Sequence, residues 1–200
     1  MTRSPDLAAC WPPWLDPAVR AQLETAYADP RRHYHDLHHL AEVLRHVEEL
    51  LDPEDPAREA VLLAAWFHDA VYDGHGEDEE CSARLAETVL AGTPVAAEVA
   101  RLVRLTRTHR PAPDDHAGQV LCDADLAILA AEPDRYAAYV QGVRAEYVSL
   151  TEAEFAAGRA AVLRDLLAKP ALFHTDLGRL RWEQAARARV AEELSELTSS

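Results

Sequence analysis

The sequence predicts an all-α fold, and three observations carry that expectation. Glycine is scarce at 7 in 200 residues and aromatics make up 6%, while Ala and Leu are abundant; such a composition suits helices better than sheets. Apolar residues recur at helical spacing in segment after segment. Asp-Pro pairs at 16–17, 29–30, 52–53 and 55–56 punctuate those segments as caps and stops. No alternating strand pattern, internal repeat or low-complexity tract interrupts the series.

Taken in order, residues 1–15 read as an irregular N-terminal segment, and residues 16–200 as a single helical domain. Asp16 caps a helix that starts at Pro17 and runs to about Ala28. A second helix covers about Leu37 to Leu51, with Leu37, Leu40, Val43, Leu44, Val47 and Leu51 on its apolar stripe. A strongly apolar helix follows from about Ala57 to Val71, then a loop at Asp73-Gly74-His75-Gly76. Helices are expected at about 77–91 and 94–108, a Pro-containing loop at 109–118, and further helices near 123–131, 133–148, 151–168 and 180–196. The last of these, from Arg179 to Leu197, either closes the domain or supports a homodimer.

The formal net charge is -15, from 20 Lys+Arg against 35 Asp+Glu. Such a surface repels nucleic acid and anionic membranes, and no basic run reverses the sign locally. A cleft holding divalent cations would still attract a small anion. Three widely spaced cysteines, Cys10, Cys81 and Cys122, argue against a disulfide framework. With no signal-peptide core and no membrane-length apolar run, the expected location is the cytoplasm.

Three stretches carry the chemistry. In Ala60-Val-Leu-Leu-Ala-Ala-Trp-Phe-His68-Asp69-Ala-Val-Tyr72, two ionisable residues lie inside a helix that is apolar on every side and therefore buried. Bare burial of such groups costs several kcal/mol per uncompensated charge. Asp69 also falls in the expected last turn, where the helix dipole disfavours it. A bound cation resolves both conflicts, although a His-Asp pair by itself says little and also fits a satisfied core histidine. Trp66 and Phe67 are expected to pack the core around it.

The second stretch is Arg32-His33-Tyr34-His35-Asp36-Leu37-His38-His39, with four histidines in seven residues at a helix start. His35 and His39 are one turn apart and can face one cleft. The third is Leu121-Cys122-Asp123-Ala124-Asp125-Leu126, read as two carboxylates opening an apolar helix. Asp123 fits an ordinary N-cap; Asp125, beside Leu126 and Leu129, is the better candidate for an inward ligand.

The order His…His-Asp…Asp on helices resembles the HD superfamily of metal-dependent phosphohydrolases. The block Tyr34-His35-Asp36-Leu37-His38-His39 is similar to the Y-H-N-x-x-H block of cyclic nucleotide phosphodiesterases in that superfamily. More closely, the chain from about residue 20 to 195 resembles a bacterial group of predicted HD phosphohydrolases through AAWFHDAVYD, DEECSA, DADLAIL, Arg144-Ala-Glu146-Tyr147 and Gly158-Arg159.

The resemblance implies an HD-domain/PDEase-like helical bundle with His39, His68, Asp69 and Asp125 as metal ligands. It implies His35 as general acid and Asp69 as a further catalytic group, able to bridge two cations. The reaction implied is hydrolysis of a small phosphate ester or nucleotide by a metal-activated water. The cofactor implied is a divalent metal ion, Mn, Fe, Co, Ni, Zn or Mg, with mixed His and carboxylate ligation suiting the first five and the sequence not choosing among them. Asp36 stands where the phosphodiesterase motif has Asn, and its charge is expected to raise the pKa of His35.

Secondary candidates surround that set. Arg32 and Arg107 are phosphate-clamp candidates. His109 is a ligand for a second metal or the phosphate, or a helix-end histidine meeting the dipole. Asp73 and Glu80 are candidates for groups behind the ligands. The acidic start Glu79, Glu80, Ser82 also satisfies the dipole alone. His33, His38, His46, His75, His116 and His174 read as surface residues, and Arg144, Glu146 and Arg159 as a buried structural ion network. The competing function is a non-catalytic metal- or nucleotide-binding regulatory module. An HD-type di-iron oxygenase would need extra ligands, for which only His109 and Asp73 are at hand.

Overall fold

A computed structural model describes residues 7–73 and 76–199, and all regular structure in them is helical. Among these residues there are nine α-helices: α1 (Pro17–Tyr27), α2 (Leu37–Leu50), α3 (Arg58–Phe67), α4 (Asp78–Val89), α5 (Ala96–Leu105), α6 (His116–Leu126), α7 (Pro133–Glu146), α8 (Glu152–Ala168) and α9 (Asp176–Ser199). Two short 3-10 helices, Leu7–Cys10 and Ala127–Ala130, complete the series. Gly74 and His75, at the tip of the expected loop, lie outside the described residues. No helix among those described is long and apolar enough to cross a membrane.

Local chemistry sets most of the starts. Asp16 accepts from the Ala18 amide at 2.8 Å ahead of Pro17. Asp36 accepts from the amides of His38 and His39 at the start of α2. Thr151 and Glu154 form a reciprocal capping box on α8.

Two apolar cores organise the helices. The first joins α1 to α6 around α3, whose residues Ala60 to Phe67 are all buried. The second joins α7, α8 and α9 to the Ala127–Ala130 turn, and includes Tyr34, Leu163, Phe173 and Val190.

Several expectations need correction. The segment before α1 is docked: Cys10, Trp11 and Leu15 are buried in the first core, Trp11 meets Trp66 edge-on at 5.1 Å, and Trp66 Nε1 donates to the Cys10 carbonyl. Helix α3 ends at Phe67, so His68 is its C-cap residue and Asp69 lies beyond it.

Helix α6 begins at His116, capped by Asp115 accepting from Gly118 at 3.0 Å. Asp123 and Asp125 therefore close a helix. The neighbouring prolines and Gly118 hide this start in the sequence. Asp123 braces the turn ahead of α9 by accepting from the His174 and Thr175 amides, while the Thr175 hydroxyl caps that helix by accepting from the Gly178 amide at 3.0 Å. A Cβ at Gly178 would stand 2.4 Å from the Asp123 carboxylate, so this approach requires glycine.

Candidate metal site

Four side chains converge where the two cores meet. The Asp36 cap fixes the first turn of α2 and turns His39 inward; the end of α3 supplies His68 and Asp69; the end of α6 supplies Asp125. His39 and His68 are 2% and 1% exposed. Their Nε2 atoms are 3.1 Å apart. Asp69 Oδ2 lies 3.4 Å from His39 Nε2 and 3.1 Å from His68 Nε2. Asp125 Oδ1 lies 3.3 and 3.7 Å from the same two atoms.

The His39, His68 and Asp69 group could hold a metal ion, its donor atoms all lying within 4.8 Å of one another. Donors about 2.1 Å from a shared centre stand about 3.0 to 3.4 Å from their neighbours, and the separations within the His39, His68 and Asp69 group fall in that range; Asp125 stands outside that group, though near both histidines. His68 Nδ1 is 2.8 Å from the Ala65 carbonyl oxygen, to which it donates. That bond fixes the proton on Nδ1 and leaves Nε2 to face the cluster, an arrangement usual for a ligating histidine.

The electrostatics agree. Burial opposes a charged His39, but the carboxylates of Asp125 and Asp69 outweigh it and push its pKa up to about 10. His68 is shifted upward against burial by the same pair. Asp69 and Asp125 are held well below the usual carboxylate range, where the opposing imidazoles overcome desolvation. Two buried carboxylates with this much field favour either protonated imidazoles or a cation in their place.

A second constellation flanks the first. His35 Nδ1 lies 2.7 Å from Glu146 Oε2, which also accepts from the Tyr72 hydroxyl at 3.1 Å. The imidazole stacks on the Tyr72 ring at 4.3 Å. Glu146 Oε1 accepts from the backbone amides of His33, Tyr34 and His35 at 2.7, 2.7 and 3.0 Å. Burial alone would raise the Glu146 pKa, but His35 and those amides hold it at about 2.

Helix α7 reaches this position because it carries Gly142 one turn before Glu146. A Cβ there would come within 2.8 Å of the His33 carbonyl oxygen. Arg144, Glu146 and Arg159 thus do not form one network: Arg144 pairs with Glu152 at 2.7 Å and Arg159 with Glu193 at 2.7 Å. The charge beside His35 belongs to Glu146, since Asp36 is engaged at the α2 cap.

The remaining candidates separate. Arg32 donates to the carbonyls of His35, Asp69 and Ala70 at 3.1, 2.7 and 3.2 Å and lies over the Tyr27 and Tyr72 rings. It is a staple between the two ligand-bearing segments, not a phosphate clamp. Arg107 is exposed and lines the adjoining cavity. Glu80 turns away to Arg104 and Arg84, while Glu79 faces the cleft. Asp73 lines a separate groove with Asp29 and Arg31, because α3 stops before it.

His109 Nε2 is 2.9 Å from the other Asp125 oxygen. Its backbone is left-handed at φ 48°, a strained position for a non-glycine residue. Lys169 holds that turn by donating to the Thr108 and His109 carbonyls. His46 is not a free surface residue: it is largely enclosed, bonded to Arg45 and Glu49 and set edge-on against Trp182. His116 and His38 stand at the surface near Asp55 and Glu42.

Glu146 and Tyr72 are the residues that reading by pattern missed. Both stand inside quoted motifs, but only long-range packing reveals their shared partner. Scans against protein-family models, curated proteins and solved structures find no match to this chain.

Proposed function

We propose that this protein is a metal-dependent phosphohydrolase of the HD superfamily type, acting on a small phosphate ester or nucleotide. One observation supports this above the rest: Asp69 and Asp125, which meet the buried His39 and His68, line a cleft together with a histidine that is independently oriented by a carboxylate. His39, His68, Asp69 and Asp125 would hold a divalent cation, with Mn, Fe, Co, Ni or Zn better matched than Mg to mixed nitrogen and oxygen donors. The cation, when bound, supplies Lewis acidity and makes water a nucleophile near neutral pH.

The chain's own residues do the rest. Glu146 accepts the Nδ1 proton of His35 and leaves Nε2 as the nitrogen that faces the cleft. In hydrolysis the bond from phosphorus to the leaving oxygen breaks and water oxygen replaces it. With Nδ1–H held by Glu146, His35 acts as the doubly protonated imidazolium: its Nε2 proton passes to the departing oxygen, and Nε2 recovers a proton from the water consumed, yielding an alcohol and phosphate. Arg107 lies where it can meet the anion on the solvent side.

Purified protein assayed for bound metal and then screened with Mn or Co against phosphomonoesters, cyclic nucleotides and nucleoside phosphates tests this reading. The expected result is metal-dependent turnover that His35→Ala slows without loss of metal. Bound metal with no turnover across that screen replaces the hydrolase by a non-catalytic binding module.

A further inference from the structure

A cavity of about 470 Å³ opens from the candidate metal cleft into the second core. One end is polar, where His35, His109 and Asp125 line it. The other is apolar, walled by Leu126, Leu129, Val143, Phe155 and Leu166. Its rim is apolar as well: Leu150 and Val162 line it at 36% and 52% exposure, two of the five large hydrophobics left exposed among the described residues.

The polar groups around the deep end are already engaged. Arg159 is paired with Glu193 at 2.7 and 3.0 Å and lies over the Tyr139 ring. The Thr106 hydroxyl donates to the Val103 carbonyl. The phenol of Tyr34, a residue 5% exposed, has no partner. Helix α8 contributes exposed Gly158 to the rim, and a Cβ there would meet nothing within 4 Å, so a side chain can be added there without a clash.

Sites of this volume with few polar points select by shape and apolar contact. Each buried polar atom left without a partner lowers affinity roughly ten- to hundredfold. A nucleobase edge or a sugar carries several such atoms; Glu79 and Arg107 stand with His35, His109 and Asp125 among the lining, whereas the wall of Leu126, Leu129, Val143, Phe155 and Leu166 offers no polar side chain to meet them.

We propose that the cavity receives the organic group of a phosphate ester, and that this group is apolar or aromatic. The phosphate end of this assignment rests on the hydrolase reading above; the apolar preference rests on the cavity lining.

Esters of primary alcohols keep leaving-group chemistry comparable. With the Mn-loaded protein, 2-naphthylmethyl phosphate and hexyl phosphate are expected to show kcat/KM at least tenfold above AMP and glycerol phosphate. A second readout needs neither metal nor turnover: 2-naphthalenemethanol binds the metal-free protein in calorimetry. Gly158→Trp weakens that binding at least tenfold by obstructing the cavity rim from a helix interior that tolerates a side chain. Val162→Glu at the half-exposed rim weakens it in the same direction and leaves the core untouched.

Equal or better turnover of AMP or glycerol phosphate overturns the apolar assignment while the hydrolase reading stands. Failure of the alcohol to bind, or binding indifferent to both variants, also overturns it. Binding sensitive to both variants, with no ester hydrolysed, keeps the cavity assignment and removes the hydrolase reading.

Discussion

The first core, around α3, and the second, around α8 and α9, bury different chemistry. The first is mostly aliphatic, with Leu40, Val61, Leu63 and Leu102 fully enclosed beside a few aromatic rings such as Trp66 and Phe67, and the His39–His68–Asp69 cluster stands at one edge of it. The second is rich in aromatic rings and encloses the Arg159–Glu193 pair, reinforced by the Tyr136 hydroxyl. It also leaves a cavity. The contrast indicates a division of labour: the first core anchors the ends of α2, α3 and α6 that present a cluster able to hold a metal ion, and the second shapes the space beside them. The carboxylates at the boundary call for protonated imidazoles or a cation; a charge inside the second core carries its own counter-ion.

The sharpest way to break that contrast is at the boundary. Asp69→Ala is expected to abolish stoichiometric metal and all metal-dependent turnover, read by elemental analysis and assay; metal retained at one equivalent would remove Asp69 from the ligand set.

Within the second core, Glu193→Ala leaves Arg159 buried and unpaired and is expected to cost about 3–5 kcal/mol in urea unfolding. The paired replacement Arg159→Met with Glu193→Leu should recover most of that loss. Equal losses in the single and double variants contradict a self-contained pair. In the first core, Leu63→Ala should cost about 2–4 kcal/mol through the cavity it leaves.

Next comes the link between the halves. Glu146→Gln keeps the metal but is expected to lower kcat about a hundredfold, because His35 loses the carboxylate that fixes its proton on Nδ1. A change below threefold means that Glu146 serves packing alone.

The smallest effect is at His46, where the second core's Trp182 meets α2. Burial first, and then the neighbouring Arg45 guanidinium, pull the imidazole down to about 4. Its folded pKa lies below its unfolded value, so its contribution is complete above about pH 6.5 and is lost as the pH falls toward 4. Between pH 7 and pH 5 wild type should lose about 1–2 kcal/mol more than His46→Gln, measured by denaturant titration. Identical pH slopes would show that the ring is solvated.

The helices were legible because periodicity and caps are local. Asp16-Pro17, Asp36 and the Thr151–Glu154 box announce α1, α2 and α8 within a few residues. The start of α6 was not, since Gly118 and two nearby prolines mimic a loop and the Asp115 cap looks like any loop aspartate. Of the candidate site, His68 and Asp69 could be nominated because burying them without a partner is costly, His39 from the histidine cluster on an apolar stripe, and Asp125 from its apolar neighbours and the family resemblance; the fold brings the four close together. Arg32, Asp73 and Glu80 went elsewhere, because a charged side chain's target depends on which carbonyl or counter-ion a distant segment brings to it.

The amino-acid order alone thus determined the helical architecture, the apolar faces and the conflict between charge and burial at His68-Asp69, all consequences of neighbours within a few turns. Tertiary structure decided that Glu146 orients His35, that Asp123 braces the turn ahead of α9, and that an apolar cavity adjoins the cluster. Those contacts join residues 33–35 to 146 and 123 to 174–175. No local pattern encodes them, because the hydrogen-bond partner of a buried polar group is whatever the packed chain places within about 3 Å.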